Sequence, residues 1–324
     1  DDAILKLSPD DLLTQGDDII SEVASLDDRA VVIGGGIGIG AEASVMLSSQ
    51  GIEASGISTS HGLGVQVSID VDDQMTSSWE SSSSRRLIEG IPDCVSTAVE
   101  WAQKTRNPVE IKSEAQDTPV IMTSQGISSL FSNIIRPSIL GERMVRGESY
   151  WSGKLNEVVL DNHLTMMDDR RMEGGFGSGS RDAEGVPTSC HTIIENGTLR
   201  KMLWSSRDAA KNVAEGRIDS ATSTGSASRG SHMSPPVTGC GDVHLLSSKP
   251  PMSLDEMIET MGTGYVIHSV MGAHTANPTS GDFSVTSSTV LRIEEGEILG
   301  PIKQAGVSGN LFKALSKEVS LGHS

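Results

Sequence analysis

Histidine, cysteine and acidic residues are the side chains here that could bind a metal or activate a nucleophile. A zinc-peptidase helix presents two histidines as ligands and a glutamate as general base. The eight histidines never lie closer than six residues apart, and the sequence contains no His-Glu pair. It therefore offers no helical zinc motif. His191 and Glu195 are four apart, but they precede the Asn-Gly turn of a predicted hairpin, so we interpret them as a surface or cross-strand pair.

The cysteines and serines also lack the spacing of a catalytic or structural site. Cys94, Cys190 and Cys240 are far apart and form no Cys-x-x-Cys pair, which excludes a disulfide scaffold and a four-cysteine zinc site. Cys190 precedes His191 directly, but neighbours on a strand point to opposite faces, so they are a poor nucleophile and base. No Gly-x-Ser-x-Gly elbow occurs. We interpret the carboxylate pair Asp168-Asp169 as part of a solvated loop.

A glycine-rich run at residues 34–41 satisfies the loose dinucleotide pattern G-x-G-x-x-A. That pattern requires a following helix and a later acidic residue. Instead, residues 42–47, 52–61 and 64–71 alternate with a period of two around a turn at 48–51, which is typical of antiparallel strands. We therefore predict glycine-rich strands and keep a nucleotide site as an alternative. Gly153-Lys154 lacks the upstream glycine of a phosphate-binding loop.

Composition limits the class of protein. The 324 residues are enough for two domains. A net charge of −18 opposes a nucleic-acid groove, since phosphate recognition needs clustered Lys and Arg. No apolar run reaches the ~18 residues of a membrane span. We therefore expect a cytoplasmic protein that binds neither nucleic acid nor membrane.

The predicted helices and strands that would position these residues indicate an α+β fold. We predict two domains, 1–112 and 113–324, with large, mostly antiparallel sheets flanked by helices. The boundary is predicted near residues 107–118, at an Asn-Pro pair. We predict five helices. They are a helix that is capped by Ser8 and ends near residue 27, Leu87–Thr105, Ser124–Ile135, Arg207–Glu215, and a helix that is capped by Ser253 and ends at Gly262. Glu80–Arg86 is predicted to be a polar loop, and hairpins are predicted at 191–199 and 285–298.

Five ordered blocks in the second half of the chain resemble the TldD/PmbA family, the cytosolic zinc metallopeptidases also called modulators of DNA gyrase. The blocks are Ser152–Glu157 (Ser-Gly-Lys-Leu-Asn-Glu), Gly185–Gly197, Thr224–Ala227, Asn277–Ser284 (Asn-Pro-Thr-Ser-Gly-Asp-Phe-Ser) and Gly306–Leu311. The resemblance extends from about Leu7 to the end. The family's usual N-terminal strand block is missing, so we expect the chain to start partway into its first domain.

The sequence differs from the family at the residues that carry the family's zinc chemistry. Zinc-bearing members carry a His-Glu-x-x-x-His helix shortly before the Ser-Gly-Lys-Leu segment, and the matching stretch here is Ile134–Arg143, without histidine. Pro137 would disturb a helix interior. The active members' third ligand, a cysteine near the C-terminus, has no counterpart before Ser324. We therefore expect no catalytic residue, no metal ligand and no cofactor in this chain.

This profile is similar to the TldE/PmbA branch. The resemblance implies a non-catalytic subunit that pairs with a zinc-bearing TldD-type subunit, with zinc in that partner, and degrades or processes unfolded peptides. Exposed sheet edges suit an extended peptide. Our candidates for a peptide groove are Asn277, Gly281, Asp282 and Phe283, although the same run also fits a plain turn. Two alternatives stay open: a stand-alone peptide-binding or assembly homodimer, and an enzyme with an unrecognised site.

Overall fold

The computed structural model describes residues 1–72, 74–111 and 117–323. The chain forms two compact units. The first contains Asp1–Thr118, Thr289–Glu294 and Ile298–Lys303, and the second contains Pro119–Ser288, Glu295–Glu297 and Gln304–Ser324. The boundary predicted at residues 112 and 113 lies outside the described residues.

The first unit begins with two helices and three strands. In chain order these are α1 (Pro9–Leu26), β1 (Ala30–Leu47), β2 (Glu53–Val71), β3 (Gln74–Ser84) and α2 (Cys94–Lys104). The helix predicted after Ser8 is confirmed. Ser8 and Asp11 form a capping box and Pro9 occupies the first helical position, so the helix start is fixed by local chemistry.

The three strands form an antiparallel sheet in the order β1-β2-β3. Ala30 lies opposite Ile69 and Leu47 opposite Glu53, so the glycine-rich run belongs to one long ribbon. The prediction of antiparallel strands at residues 34–41 is confirmed. The apolar positions that alternate along β2 meet α1 and α2 in a buried core. That core is formed by Ile19, Val23, Ala30, Leu63, Val65, Val67, Ile69, Val95, Ala98, Val99 and Ala102.

Two expectations for the first unit are wrong. Glu80–Arg86 was expected to be a loop, but β3 runs to Ser84, and its serines pair with β2 at the edge of the sheet. An edge strand tolerates this polar run because one of its sides needs no partner strand. The helix expected from Leu87 starts only at Cys94. Gly90, with φ of +67°, and Pro92 precede it, and neither favours the interior of a helix.

The second unit is built from short strands and helices. They are β4 (Val120–Met122), α3 (Ser124–Leu130), a π turn (Phe131–Ile135), α4 (Arg136–Ser138), α5 (Gly141–Val145), β5 (Leu164–Asp169), β6 (Cys190–Glu195), β7 (Thr198–Leu199), α6 (Ser206–Ala214), β8 (Ala227–Ser228), β9 (Val237–Thr238), β10 (Asp242–Ser247), α7 (Leu254–Met261), β11 (Gly264–Ile267) and β12 (Asp282–Ser287). The hairpin β13 (Val290–Glu294) and β14 (Glu297–Ile302) returns to the first unit, and β15 (Ala305–Asn310) and α8 (Leu311–Ala314) complete the second.

Strand β5 is central in a sheet of order β10-β5-β6-β7. β12 pairs with β15, β8 with β9, and β4 runs parallel to β11. A large core lies under these strands, and its aromatic part contains Tyr150, whose ring stacks on Phe312 with centroids 4.6 Å apart. The fold is α+β with several antiparallel sheets flanked by helices, as predicted.

Turn and capping signals in the sequence predicted the positions of other elements correctly. The hairpin between β6 and β7 turns at Asn196-Gly197, both with positive φ, and Ser253 caps α7 with a capping box to Glu256. The hairpin expected over residues 285–298 turns at Glu295-Gly296 as predicted, but its first strand starts at Val290 because β12 ends at Ser287. No helix in the described part of the chain is long and apolar enough to cross a membrane.

Candidate functional site

A continuous helical segment runs over residues 124–138, through α3, the π turn and α4. The Thr123 hydroxyl caps its start by accepting from the Gly126 N–H. The segment passes through Pro137, where we expected a disturbed helix. The π turn directly before Pro137 widens the helix, and such turns occur where one extra residue is accommodated. Ile134 and Ile135 point into the core and are fully buried.

Arg136 joins the end of this segment to the loop before β10. Its Nη2 donates to the carbonyl oxygens of Gly241 at 3.1 Å and Cys240 at 3.4 Å. The Cys240 thiol donates back to the Arg136 carbonyl at 3.4 Å. Burial raises the pKa of the Cys240 thiol to about 12, with a smaller contribution from Asp168. A thiol with so high a pKa is a poor nucleophile at neutral pH.

Asp168 lies beside this loop, and its placement corrects our interpretation. We expected Asp168-Asp169 in a solvated loop, but both residues belong to β5, and Asp168 is fully buried. Its Oδ1 accepts from the Gly241 N–H at 2.6 Å. Burial raises the pKa of this carboxyl, while the Gly241 hydrogen bond and the charge of Arg170 oppose the rise. Burial alternates along Leu164–Asp169, but the residue types do not, because the polar Asp168 occupies a buried position.

Arg170 belongs to the same polar cluster as Arg136, Asp168 and Cys240. Its Nη2 donates to the Gly239 carbonyl at 3.0 Å and the Ser228 hydroxyl at 3.2 Å. Its Nε lies 3.8 Å from Asp168 Oδ2, which is too long for a hydrogen bond, and neither atom has another hydrogen-bond partner among the described residues. The two residues therefore interact through charge across a buried gap. The guanidinium holds β5, β8 and the loop at 239–241 together.

His191 lies opposite Asp168 on the neighbouring strand β6. Its Nδ1 is 3.2 Å from the Lys201 ammonium, which can only donate, and its Nε2 is 2.6 Å from the Thr224 carbonyl, which can only accept. These partners suit Nε2 as a donor and Nδ1 as an acceptor. We expected His191 and Glu195 to form a surface or cross-strand pair, but His191 is buried. Glu195 instead forms an ion pair with Arg200 at 3.4 Å.

Cys190 and His191 point to opposite faces of β6, since Cys190 is exposed and His191 is buried. The prediction that these neighbours do not meet as nucleophile and base is confirmed. Cys190 lies opposite Asp169, and its pKa is raised by burial first and then by that carboxylate. A raised thiol pKa lowers the thiolate fraction at neutral pH.

The residues of this cluster do not fit a zinc ion. Within residues 1–72, 74–111 and 117–323, no group of three or more His, Cys, Asp or Glu side chains is arranged to hold a metal. Both His191 nitrogens have hydrogen-bond partners, Asp168 Oδ1 accepts from Gly241, and the Cys240 thiol donates to the Arg136 carbonyl. Two guanidinium groups, Arg136 and Arg170, occupy the same region and would repel a cation.

The groove candidates lie in the loop that leads into β12. Asn277 Oδ1 accepts from the N–H groups of Thr279 at 2.9 Å and Ser280 at 3.2 Å, which is an Asx turn. Gly281 has φ of +82°, and a Cβ there would overlap the Phe312 ring. Only glycine therefore fits this position without strain.

The other two candidates are held by the neighbouring strand. Asp282 accepts from the Asn310 amide and the Ser280 hydroxyl, both at 2.7 Å, and these two bonds, Asn310 first, lower its pKa. Phe283 packs half-buried against the core. The Ser138 hydroxyl at the end of α4 shares its proton between the Ile134 carbonyl at 2.8 Å and the Pro278 carbonyl at 3.1 Å, so this loop also contacts the helical segment. A peptide groove at these four residues stays a prediction.

Comparisons with known proteins agree on one family. Residues 115–324 match the family model of the PmbA/TldA metallopeptidase C-terminal domain. The structure resembles that of TldE from Thermococcus kodakarensis, with a TM-score of 0.86 and 28% identity over 98% of this chain and 70% of the other. It also resembles a putative modulator of DNA gyrase from Thermotoga maritima, with a TM-score of 0.83, 25% identity and the same coverage of both chains.

Curated relatives point the same way. An uncharacterized protein of Methanocaldococcus jannaschii is 26% identical over 96% of this chain and 68% of its own length. A protein of Methanothermobacter thermautotrophicus named metalloprotease is 30% identical over 55% of this chain, and the match covers 37% of that relative. Metalloprotease PmbA of Escherichia coli O157:H7 is 27% identical over 65% of this chain and 42% of its own length.

The fold is that of an α+β protein related to metalloproteases. The helical segment at residues 124–138 carries no metal ligand. With the family model matching well over half of the chain, the chain belongs to the TldD/PmbA family.

Proposed function

We propose that this chain is the non-catalytic, TldE-like subunit of a two-component zinc metallopeptidase that acts on unfolded peptides. The observation that carries the proposal is the stretch Ile134–Arg143, which matches the family's zinc motif in position but contains no histidine. Its one acidic residue, Glu142, pairs with Arg146 at 2.7 Å. In this proposal a TldD-type partner supplies zinc, the general base and the third ligand. The resemblance to the Thermococcus TldE structure supports the assignment.

The role proposed for this chain is to hold the walls of a substrate chamber. Arg136 fixes the loop at 239–241 by bonds to two carbonyls, and Ser138 fixes the loop at 277–281 by a bond to the Pro278 carbonyl. These three hydrogen bonds come from one helical segment. A chamber wall positioned in this way favours an extended, unfolded substrate without contributing to bond cleavage.

Reconstitution with a partner tests the proposal. The chain would be purified alone and co-expressed with a TldD-type subunit encoded in the same genome, and both samples would be assayed for zinc by mass spectrometry and for hydrolysis of an unfolded peptide. We expect zinc and hydrolysis only in the complex. Replacing the partner's motif glutamate by glutamine should abolish hydrolysis there. Chelator-sensitive hydrolysis by this chain alone would contradict the proposal, and a stable homodimer that ignores the partner would favour a stand-alone peptide-binding protein.

The variant Arg136→Met tests the wall role in the complex. We expect hydrolysis to fall by about tenfold while zinc content stays unchanged, because removing bonds worth about 1.5–3 kcal/mol frees the loop at 239–241. Arg143→Met is the matched control, since Arg143 has no side-chain hydrogen bond among the described residues. Equal losses in both variants would show that the effect is a general consequence of removing a guanidinium nearby.

A further inference from the structure

Two exposed arginines bond to the loop at residues 183–187. The Nη1 atom of Arg181 donates to the Gly185 carbonyl at 2.8 Å, and the Nε atom of Arg229 donates to the Ala183 carbonyl at 3.1 Å. These carbonyls belong to residues two positions apart, so they lie at most about 7 Å from each other. With the lengths of the two hydrogen bonds added, the guanidinium groups are at most about 13 Å apart.

A third exposed arginine lies near Arg229. The Nη1 atom of Arg229 donates to the Ser234 carbonyl at 2.9 Å, and the Nη1 atom of Arg207 donates to the Pro236 carbonyl at 3.0 Å. The same two-residue spacing places these guanidinium groups at most about 13 Å apart. Arg181, Arg207 and Arg229 therefore form one group of exposed cations, the arginine cluster, and backbone carbonyls orient each of its members.

The arginine cluster has no carboxylate partner among the residues that the structure describes, although the sequence contains 43 acidic and 25 basic residues. The acidic residues nearest to it in sequence bond to backbone N–H groups instead. Asp182 accepts from three such groups, Glu184 from two and Asp208 from one. Each guanidinium has five N–H donors, and the hydrogen bonds to carbonyls use at most two of them. Charge and donors therefore remain for a ligand.

We propose that the arginine cluster binds the carboxylates of an extended acidic peptide. Side chains two or four positions apart in an extended peptide are separated by about 7 Å or 13 Å, which matches the limits on the distances between the guanidinium groups. A planar guanidinium holds a carboxylate through two parallel N–H···O bonds, so arginine suits this ligand. The inference rests on the proposed function in one respect, since it takes such a peptide to be a substrate of the assembled peptidase.

The net charge of the chain predicts the opposite preference. A chain of −18 repels an acidic peptide at long range. At physiological salt, however, exposed charges are largely screened beyond about 8 Å, so a short peptide responds mainly to the groups that it contacts. A long polyanion such as duplex DNA extends beyond the three arginines and meets the acidic residues around them. A preference for acidic over neutral peptides would therefore identify the arginine cluster as the binding site.

Fluorescence anisotropy of this chain alone with the labelled peptide Ser-Glu-Ser-Glu-Ser-Glu-Ser tests the proposal. We expect binding at physiological salt that weakens at high salt, because added salt screens the contacts between guanidinium and carboxylate. The same peptide with glutamine in place of each glutamate should bind at least about tenfold more weakly. Equal or tighter binding of the glutamine peptide is the result that net charge alone predicts, and it would overturn the proposal.

Single variants establish which residues bind the peptide. Arg181→Gln and Arg207→Gln should each weaken binding about threefold, because each removes one contact between exposed charges. Arg181→Lys should retain most of the binding, since it keeps the charge, and this separates charge from packing of the loop. The matched control is Arg217→Gln, because Arg217 already pairs with Glu215 at 2.8 Å. Equal weakening by Arg217→Gln, or no weakening by the other two glutamine variants, would contradict the assignment.

Competition with inorganic phosphate distinguishes a peptide site from a phosphate site. A single phosphate ion is too small to contact all three arginines, so it should displace the peptide only at much higher concentration than an unlabelled peptide does. Displacement by phosphate at equal or lower concentration would assign the cluster to a phosphate ligand and overturn the proposal. These measurements use no zinc-bearing partner. Their failure therefore leaves the non-catalytic role untouched, and a failed reconstitution leaves the binding result untouched.

Discussion

At the scale of single residues, the polar side chains of the second unit act as connectors. Arg136, Arg170 and Lys201 each direct their donors at a carbonyl oxygen or a ring nitrogen of another element. Cys240 is held protonated by burial. Asp168, His191 and Cys240 thus help to hold strands and loops of the second unit in place.

Asp168 provides a test of this network. Replacing Asp168 by alanine should lower the free energy of unfolding by about 3 kcal/mol, because it leaves Arg170 as an uncompensated buried charge and the Gly241 N–H without its acceptor. Asp168→Asn keeps an acceptor oxygen and should cost less. Denaturant titration of both variants measures the difference. The neighbour Asp169, which is only half-buried, is the control, and its alanine variant should change stability by less than about 1 kcal/mol.

At the scale of elements, two glycines within helices have different structural roles. Gly126 in α3 lies so close to β11 that a Cβ would be 2.7 Å from the Ile267 carbonyl oxygen. Gly16 in α1 has room, because its nearest neighbour, the Ile37 Cδ1 atom, is 4.0 Å from a Cβ. The first glycine is there for close packing, whereas the second only weakens its helix.

These two glycines give a paired prediction. Gly16→Ala should raise the free energy of unfolding by about 0.5–1 kcal/mol, from helix propensity and the stiffer unfolded chain. Gly126→Ala should lower it by about 1–3 kcal/mol despite the same propensity gain, because the methyl group has no space. Thermal or denaturant unfolding measures both. Stabilisation by Gly126→Ala would mean that α3 can shift away from β11 at little cost.

At the scale of the whole molecule, charge decides which partners are accessible. The family includes proteins titled modulators of DNA gyrase, and one of the solved structures carries that title. The chain contains 43 acidic and 25 basic residues. Its basic side chains are partly withdrawn from solvent, since Arg170 is buried against backbone carbonyls.

We therefore expect no binding to duplex DNA. Association with a polyanion requires exposed Lys and Arg to replace counterions, and a chain of −18 is repelled instead. A DNA gel-shift or fluorescence-anisotropy titration at physiological salt should show no complex, and lowering the salt should not produce one. Retention on DNA that weakens steeply with salt would reveal a basic surface and contradict this prediction.

Local signals in the sequence were sufficient for the ends of several elements. The Ser8 and Ser253 capping boxes, the Asn196-Gly197 turn and the strand alternation around the glycine-rich run all involve residues close in sequence, so their geometry follows from local chemistry. The ordered motifs of the second half were sufficient for the family. The missing His-Glu pair was visible in the same way, because its absence needs no three-dimensional information.

Tertiary structure decided how the polar residues are used. We interpreted Asp168 as a loop residue because the acidic pair is short and polar. Only the pairing of β5 between β10 and β6 buries this side chain. The partners of His191 lie 10 and 33 residues away along the chain, at Lys201 and Thr224, and those of Arg136 lie more than 100 residues away. Spacing in sequence carries no record of such contacts, since their geometry exists only once distant strands and loops have packed. The family was therefore determined by the sequence itself, whereas the polar network was decided by the fold.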